Sequence, residues 1–153
     1  MIKKEDLEKI KEETKRFFEK MGFEAEFEFL PQKEETLLIR AEMEDPQPLI
    51  GKGGQTLVKV QRLLGVILKR KVKENFFIDL DINNYKERKI EFLKELAQRT
   101  ADQVALIKEE KALDSMPAYE RRIIHLELAE RDDVTTESIG EEPNRRVIIR
   151  PYP

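Results

Sequence analysis

The chain has 153 residues, 40% of them charged and 7% aromatic, with no tryptophan and a formal net charge of -3. That length holds one domain or two small ones with modest cores, and the absence of cysteine excludes disulfides, thiol catalysis and thiolate metal sites. No apolar run of about 18 residues is present, and the start, Met1-Ile2-Lys3-Lys4-Glu5-Asp6, leads into a charged helical pattern rather than a signal-peptide core, so a soluble, cytoplasmic protein without membrane insertion is expected.

From Glu5 to Met21, apolar residues at Leu7, Ile10, Phe17, Phe18 and Met21 follow the three-and-four spacing of an amphipathic helix, which Gly22 ends. Phe23, Ala25, Phe27 and Phe29 then alternate with Glu24, Glu26 and Glu28, predicting a half-buried strand with an acidic outer face. A turn over residues 31–35 leads to a second strand through Leu37, Ile39, Ala41 and Met43, and so to a hairpin. Asp45-Pro46-Gln47-Pro48 leaves room for at most one helical turn, because residues before proline are pushed towards extended geometry.

The next stretch, Leu49-Ile50-Gly51-Lys52-Gly53-Gly54-Gln55-Thr56, is a glycine-rich turn with one lysine, followed by a helix that starts at Gly54 or Gln55 and runs to about Lys71. Glycines let a backbone approach a phosphate closely, and the first amides of a helix add partial positive charge to the same spot. Between Leu49 and Lys73 there are seven basic residues and no acidic one, whereas residues 1–48 carry nine basic and fourteen acidic residues. At about 100° per residue, Leu57, Val60, Leu64, Ile67 and Leu68 share one face, and Lys59, Arg62, Lys69, Arg70 and Lys73 gather opposite. The competing reading is a plain tight turn followed by a solvated basic face. The sign separation favours a surface for a polyanion. Phe76, Ile78, Leu80 and Ile82 then alternate with Phe77, Asp79 and Asp81 as a third strand.

Ile50-Gly51-Lys52-Gly53-Gly54 resembles the I-G-x-x-G signature of KH domains, and the order of elements resembles the type II KH fold: αββααβ, a three-stranded sheet with helices on one face. The resemblance implies binding of single-stranded RNA or DNA along the glycine loop, through Ile50, Gly51, Lys52, Gly53, Gly54 and Gln55 with Lys59, Arg62 and Lys69 beyond. Ile50, Leu57 and Val60 are the expected apolar floor for bases.

Asn83-Asn84 supplies a helix start, with Glu87 placed for a capping box if Asn84 is the cap. Ile90, Leu93, Ala97, Thr100, Val104 and Ile107 define a long helix to about Lys108, and residues 112–115 suggest a short strand. A further helix begins at Pro117 or Ala118, with Tyr119, Ile123 and Leu126 expected on one face and Arg121 and His125 on the other. Two strands, Thr135 to Ile139 and Arg145 to Arg150, flank Gly140-Glu141-Glu142-Pro143.

Arg121 and His125, spaced R-x-x-x-H, resemble the signature of the R-three-H domain, and the tail from Val134 through Pro143 to Ile149 resembles its end. A type II KH domain followed by an R-three-H domain is the arrangement of the bacterial Jag family, also called KhpB or EloR, and the resemblance covers essentially all 153 residues. The expected fold class is α+β, with a KH domain over 1–83 and a small α+β R-three-H domain over 84–153. The start near the KH helix sets aside the N-terminal Jag-N domain that many Jag proteins carry.

The resemblance implies a nucleic-acid-binding regulatory protein, with RNA as the expected ligand and a link to control of cell elongation and division. Arg121, Arg122, His125, Arg145 and Arg146 would form a second phosphate-contacting surface. Read without it, His125 is a half-buried histidine held by a backbone carbonyl and Arg121 a surface ion pair. An enzyme is not expected: the single histidine has only Ser115 and Ser138 as serine partners, and neither a Walker-type sequence nor a metal-binding spacing exists, so no cofactor and no metal are assigned. The alternative is an adaptor that binds protein, such as the small single-KH partner associated with Jag proteins, through its acidic strand face or a strand edge.

Overall fold

Helix α1 spans Lys4–Lys20 and buries Ile10, Thr14 and Phe18, and the chain leaves it through Gly22 at φ +86°, a conformation that favours glycine. The computed structural model describes residues 2–153, which cluster into two compact units, one up to Lys86 and the other Glu87–Pro153. In the first, β1 (Glu26–Pro31) and β2 (Thr36–Glu42) form the expected hairpin, antiparallel with Phe27 opposite Ala41 and Phe29 opposite Ile39. The one-turn helix α2 (Gln47–Ile50), the glycine loop and helix α3 (Gln55–Lys71) then carry the chain to β3 (Phe77–Ile82). β3 pairs parallel to β2, with Ile39 opposite Leu80; a parallel pair requires such a crossover connection.

The order is αββααβ with the sheet arranged β1-β2-β3. Ile10 and Phe18 of α1, Leu64 and Leu68 of α3, and Leu37, Ile39 and Leu80 of the sheet share one core. Phe18 and Phe76 are wholly buried, which stabilises the fold by about 1.5–3 kcal/mol each relative to exposure. The acidic outer face of β1 forms as expected, with Glu28 3.6 Å from Arg40 of β2. The strict alternation expected for β3 breaks at Asp81, which is 8% exposed. Its Oδ1 accepts the backbone N–H of Lys86 in the first turn of the next helix, one of the amides a helix start leaves without an intrahelical partner. Asn83 brackets Met43 through both its amide N–H and side-chain oxygen, extending the pairing beyond β2.

The second unit consists of most of α4 (Tyr85–Ile107), β4 (Lys111–Ala112), α5 (Ala118–Leu128), β5 (Val134–Ile139) and β6 (Arg146–Pro151). Its antiparallel sheet has the order β4-β6-β5. Leu93, Ala97 and Val104 of α4, Ile124 and Leu128 of α5, and Val147 and Ile149 of β6 make its core. Ile90 and Ile107, expected on the inner stripe of α4, are 41% and 47% exposed. The inner face of α5 includes charge: Glu120, Arg121, Ile124 and Leu128 are buried and Ile123 packs partly buried against the core, while Tyr119 and Leu126, expected on one face with Ile123, are 56% and 64% exposed. Charged partners from outside the helix make this possible, as described below. The two units together are an α+β chain.

Candidate nucleic-acid interface

The glycine loop is anchored from beneath. Leu49 and Ile50 are buried in the first core, and the amide of Gly51 closes onto the carbonyl of Gln47. Gly51, Gly53 and Gly54 all have positive φ, but they differ in what a side chain would meet. A Cβ at Gly51 would lie 2.1 Å from Thr56 Oγ1, and one at Gly54 would lie 2.8 Å from Cε1 of Tyr85. At Gly53 nothing lies within 4 Å. Gly51 and Gly54 therefore serve the packing of the loop, and Gly53 is the position where its backbone is open to a ligand. Lys52 beside it is exposed.

α3 begins at Gln55 without a side-chain cap and without an acidic residue in its first turn. The partial positive charge of its start is thus left for an external anion. Lys59, Arg62, Lys69, Arg70 and Lys73 are all exposed, as the helical projection anticipates. Among the described residues, Lys52, Lys59, Arg62, Arg70 and Lys73 make no ion pair, whereas Lys71 pairs with Glu13 at 3.9 Å and Lys69 stands 4.9 Å over the Phe77 ring.

The apolar floor expected for bases is not on the surface. Ile50, Leu57 and Val60 are 3%, 2% and 8% exposed and belong to the core, so they hold the loop and helix in place. The apolar groups that α3 does present are Val58, Leu63 and Val66, each about half exposed. They interleave with the basic residues. Their only sequence signal was apolar character away from the inward stripe.

In the second unit, Arg121 is buried and its Nη2 donates to Glu142 Oε1 at 2.5 Å. The neighbouring Glu120 is also buried, 3.8 Å from Lys89 Nζ of α4. These pairings remove the cost of an unpaired charge from the inner face of α5. His125 is half-buried, with Nδ1 2.7 Å from Thr136 Oγ1 and Nε2 2.7 Å from Ser138 Oγ, both on β5. Hydroxyls thus take the place of the backbone carbonyl considered from sequence. Arg145 donates to the carbonyls of Gly140 and Ser138, and Arg146 Nε donates to the Asn144 carbonyl at 3.4 Å. Arg122 is exposed and makes no ion pair among the described residues. Arg121, His125 and Arg145 therefore meet around β5 and the turn that follows, through Thr136, Ser138 and Glu142, which the sequence reading had not placed in the site. Arg122, about 100° further round α5 from Arg121, is exposed.

Burial pushes the His125 pKa down, and the Arg121 charge adds to the effect, so the ring is neutral at neutral pH. A folded-state value below the unfolded one means that the contribution of His125 to stability is complete above about pH 6.5 and is lost as pH falls below it. A phosphate beside the ring would oppose the shift. The chain has one histidine, so its imidazole Cε1–H signal in an NMR titration needs no assignment. The expected midpoint lies below 6.5 in the free protein and moves up when single-stranded RNA is added. The window in which RNA binding strengthens with falling pH therefore lies lower than an unperturbed histidine would suggest. A midpoint unmoved by saturating RNA would place the phosphates elsewhere.

No group of three or more histidine, cysteine, aspartate or glutamate side chains is placed to hold a metal ion among the described residues, and no helix among them is long and apolar enough to cross a membrane.

Residues 91–151 match the R-three-H domain. The chain is 40% identical to an RNA-binding protein KhpB of Clostridium symbiosum over 116 residues, which are 76% of this chain and 52% of the relative. It is 40% identical to RNA-binding protein KhpB of Lactiplantibacillus plantarum over 101 residues, 66% of this chain and 31% of that protein. With the protein of the same name from Bacillus subtilis it shares 38% identity over 103 residues, 66% of this chain and 50% of the relative. The matched part thus spans about half, or as little as a third, of these relatives.

Proposed function

We propose that the chain, similar to KhpB proteins and matching the R-three-H domain over residues 91–151, is a Jag-family single-stranded RNA-binding regulatory protein that acts without catalysis in the cytoplasm. The observation that carries this reading is the glycine loop of the first unit, with exposed Lys52, open space at Gly53 and an uncapped helix behind it whose exposed face has basic and no acidic residues. In this reading residues 1–83 act as a type II KH domain. Lys52 and the amides around Gly53 hold phosphates, and Lys59, Arg62 and Lys69 continue the track. Residues 84–153 add a second contact through Arg122, Arg145 and Arg146. The relatives are named RNA-binding proteins, which favours RNA over DNA, and the family resemblance supports a physiological role in control of cell elongation and division.

Phosphate contacts act by releasing counterions and carry no sequence information. Arg62→Glu with Lys69→Glu is therefore expected to weaken binding about equally for unrelated single-stranded sequences and to flatten the dependence of log K on log salt by about two contacts. Filter binding at several salt concentrations measures both. A loss confined to one sequence would show base reading by α3 and would sink the phosphate-track reading.

The half-exposed Val58, Leu63 and Val66 favour a second reading, in which α3 also receives a protein partner such as a small single-KH protein. Apolar side chains interleaved with charge on one helix face suit a transient protein contact. Val58→Ser with Leu63→Ser should then weaken that partnership while leaving the salt slope of RNA binding intact.

A further inference from the structure

Arg121 is placed unlike a residue that meets ligands freely. Its side chain is 7% exposed, while that of its partner Glu142 is 58% exposed. Its Nε is buried without a hydrogen-bond partner. Glu142 is the one side-chain acceptor given to its guanidinium among the described residues. A guanidinium presents a planar fork of donors that fits a carboxylate or a phosphate in two-pronged fashion. Here one carboxylate oxygen meets one nitrogen, and the fork is only partly used. The exposed carboxylate thus acts as the cover of a cation that the protein otherwise encloses.

Glu142 sits in the turn between β5 and β6, and that turn has tethers that do not depend on its side chain. Arg145 donates to the Gly140 and Ser138 carbonyls, and the Asn144 amide donates to the carbonyl of Glu141 at 2.8 Å. A swing of the Glu142 side chain leaves all of these in place and removes the carboxylate from Arg121.

We propose that Glu142 is an intramolecular stand-in for phosphate, an autoinhibitory contact that covers Arg121 until a nucleic-acid phosphate displaces it. The proposal rests on the reading of the second unit as a nucleic-acid surface. It gives Arg121 a conditional role: binding there exchanges one ion pair for another, so the net gain in affinity is small while Glu142 is present. The opposing account is that Glu142 is a strut that holds Arg121 and α5 in place.

The test uses the full chain carrying Lys52→Asp and Gly53→Asp, so that the glycine loop does not mask the second unit, with a labelled single-stranded oligouridine read by fluorescence anisotropy. Glu142→Gln keeps the length of the side chain and an acceptor but removes the charge. It is expected to raise affinity about fivefold, the equivalent of one partly exposed ion pair that no longer has to be broken, and to steepen the salt slope by about one contact. Arg121→Gln added to Glu142→Gln should abolish both gains. Glu142→Asp, one methylene shorter, should give a smaller gain in the same direction and serves if the glutamine variant does not fold by circular dichroism. A gain that persists in the Arg121→Gln background would be a long-range charge effect and overturns the proposal. Unchanged or weaker binding by Glu142→Gln, with Arg122→Glu still weakening it, identifies a strut and overturns the proposal while the nucleic-acid reading stands. If neither Glu142→Gln nor Arg122→Glu alters binding, the second unit is not a nucleic-acid surface, and both fall.

Discussion

Lys52→Asp combined with Gly53→Asp is expected to lower affinity for single-stranded RNA by about a hundredfold or more, the loss of two charge-assisted phosphate contacts, while the protein stays folded. Both halves of this expectation come from the loop geometry. The Lys52 side chain is exposed, and a Cβ at position 53 meets nothing within 4 Å. Gly53 has φ +63°, a region that aspartate visits more readily than most residues, so the strain is about 1 kcal/mol. The same substitution at Gly51 would not be a clean probe, because its side chain would run into Thr56 and binding would be lost together with the fold. Circular dichroism with fluorescence anisotropy separates the two. A folded Lys52→Asp, Gly53→Asp variant that binds RNA as well as the parent would remove the glycine loop from the site.

The contrast between Gly51 and Gly53 shows where sequence reasoning reaches and where it stops. Periodicity made the strands and α3 legible, because one buried face imposes a repeat of two or 3.6 residues. The inward stripe Leu57, Val60, Leu64 and Leu68 is found where the projection puts it. The glycines could be read as a loop but not told apart, since the role of Gly54 depends on Tyr85, far along the chain. The buried face of α5 was out of reach for the same reason. Its pattern groups Tyr119, Ile123 and Leu126, of which only Ile123 packs against the core, whereas Arg121 finds Glu142 and Glu120 finds Lys89, and these partners allow both charges to be buried. Short-range pattern carries no record of a partner twenty or more residues away. Tyr119 and Leu126 are left exposed beside Arg122, a local departure from the usual pattern of the kind that functional surfaces tolerate.

A strand long enough to reach both units is expected to bind the full chain about a hundredfold or more tighter than one that fills only the glycine loop, because the second contact becomes intramolecular once the first has formed. A loop of this kind clamps about four nucleotides, so a series of oligouridines from that length upward should show a rise in affinity at the length where the second unit is first reached. Each unit can be disabled within the full chain: Lys52→Asp with Gly53→Asp for the first, Arg122→Glu for the second, an exposed position whose change disturbs no described ion pair. On the shortest strands the loop variant alone should weaken binding. Beyond the rise either variant should return the affinity towards that of a single contact, and the two together should abolish it. The argument depends on effective concentration and on no particular arrangement of the units, since any tether short enough raises the local concentration of the second site. An affinity that grows only smoothly with length, unaffected by Arg122→Glu throughout, would mean that the first unit binds RNA alone and that the R-three-H domain serves another partner.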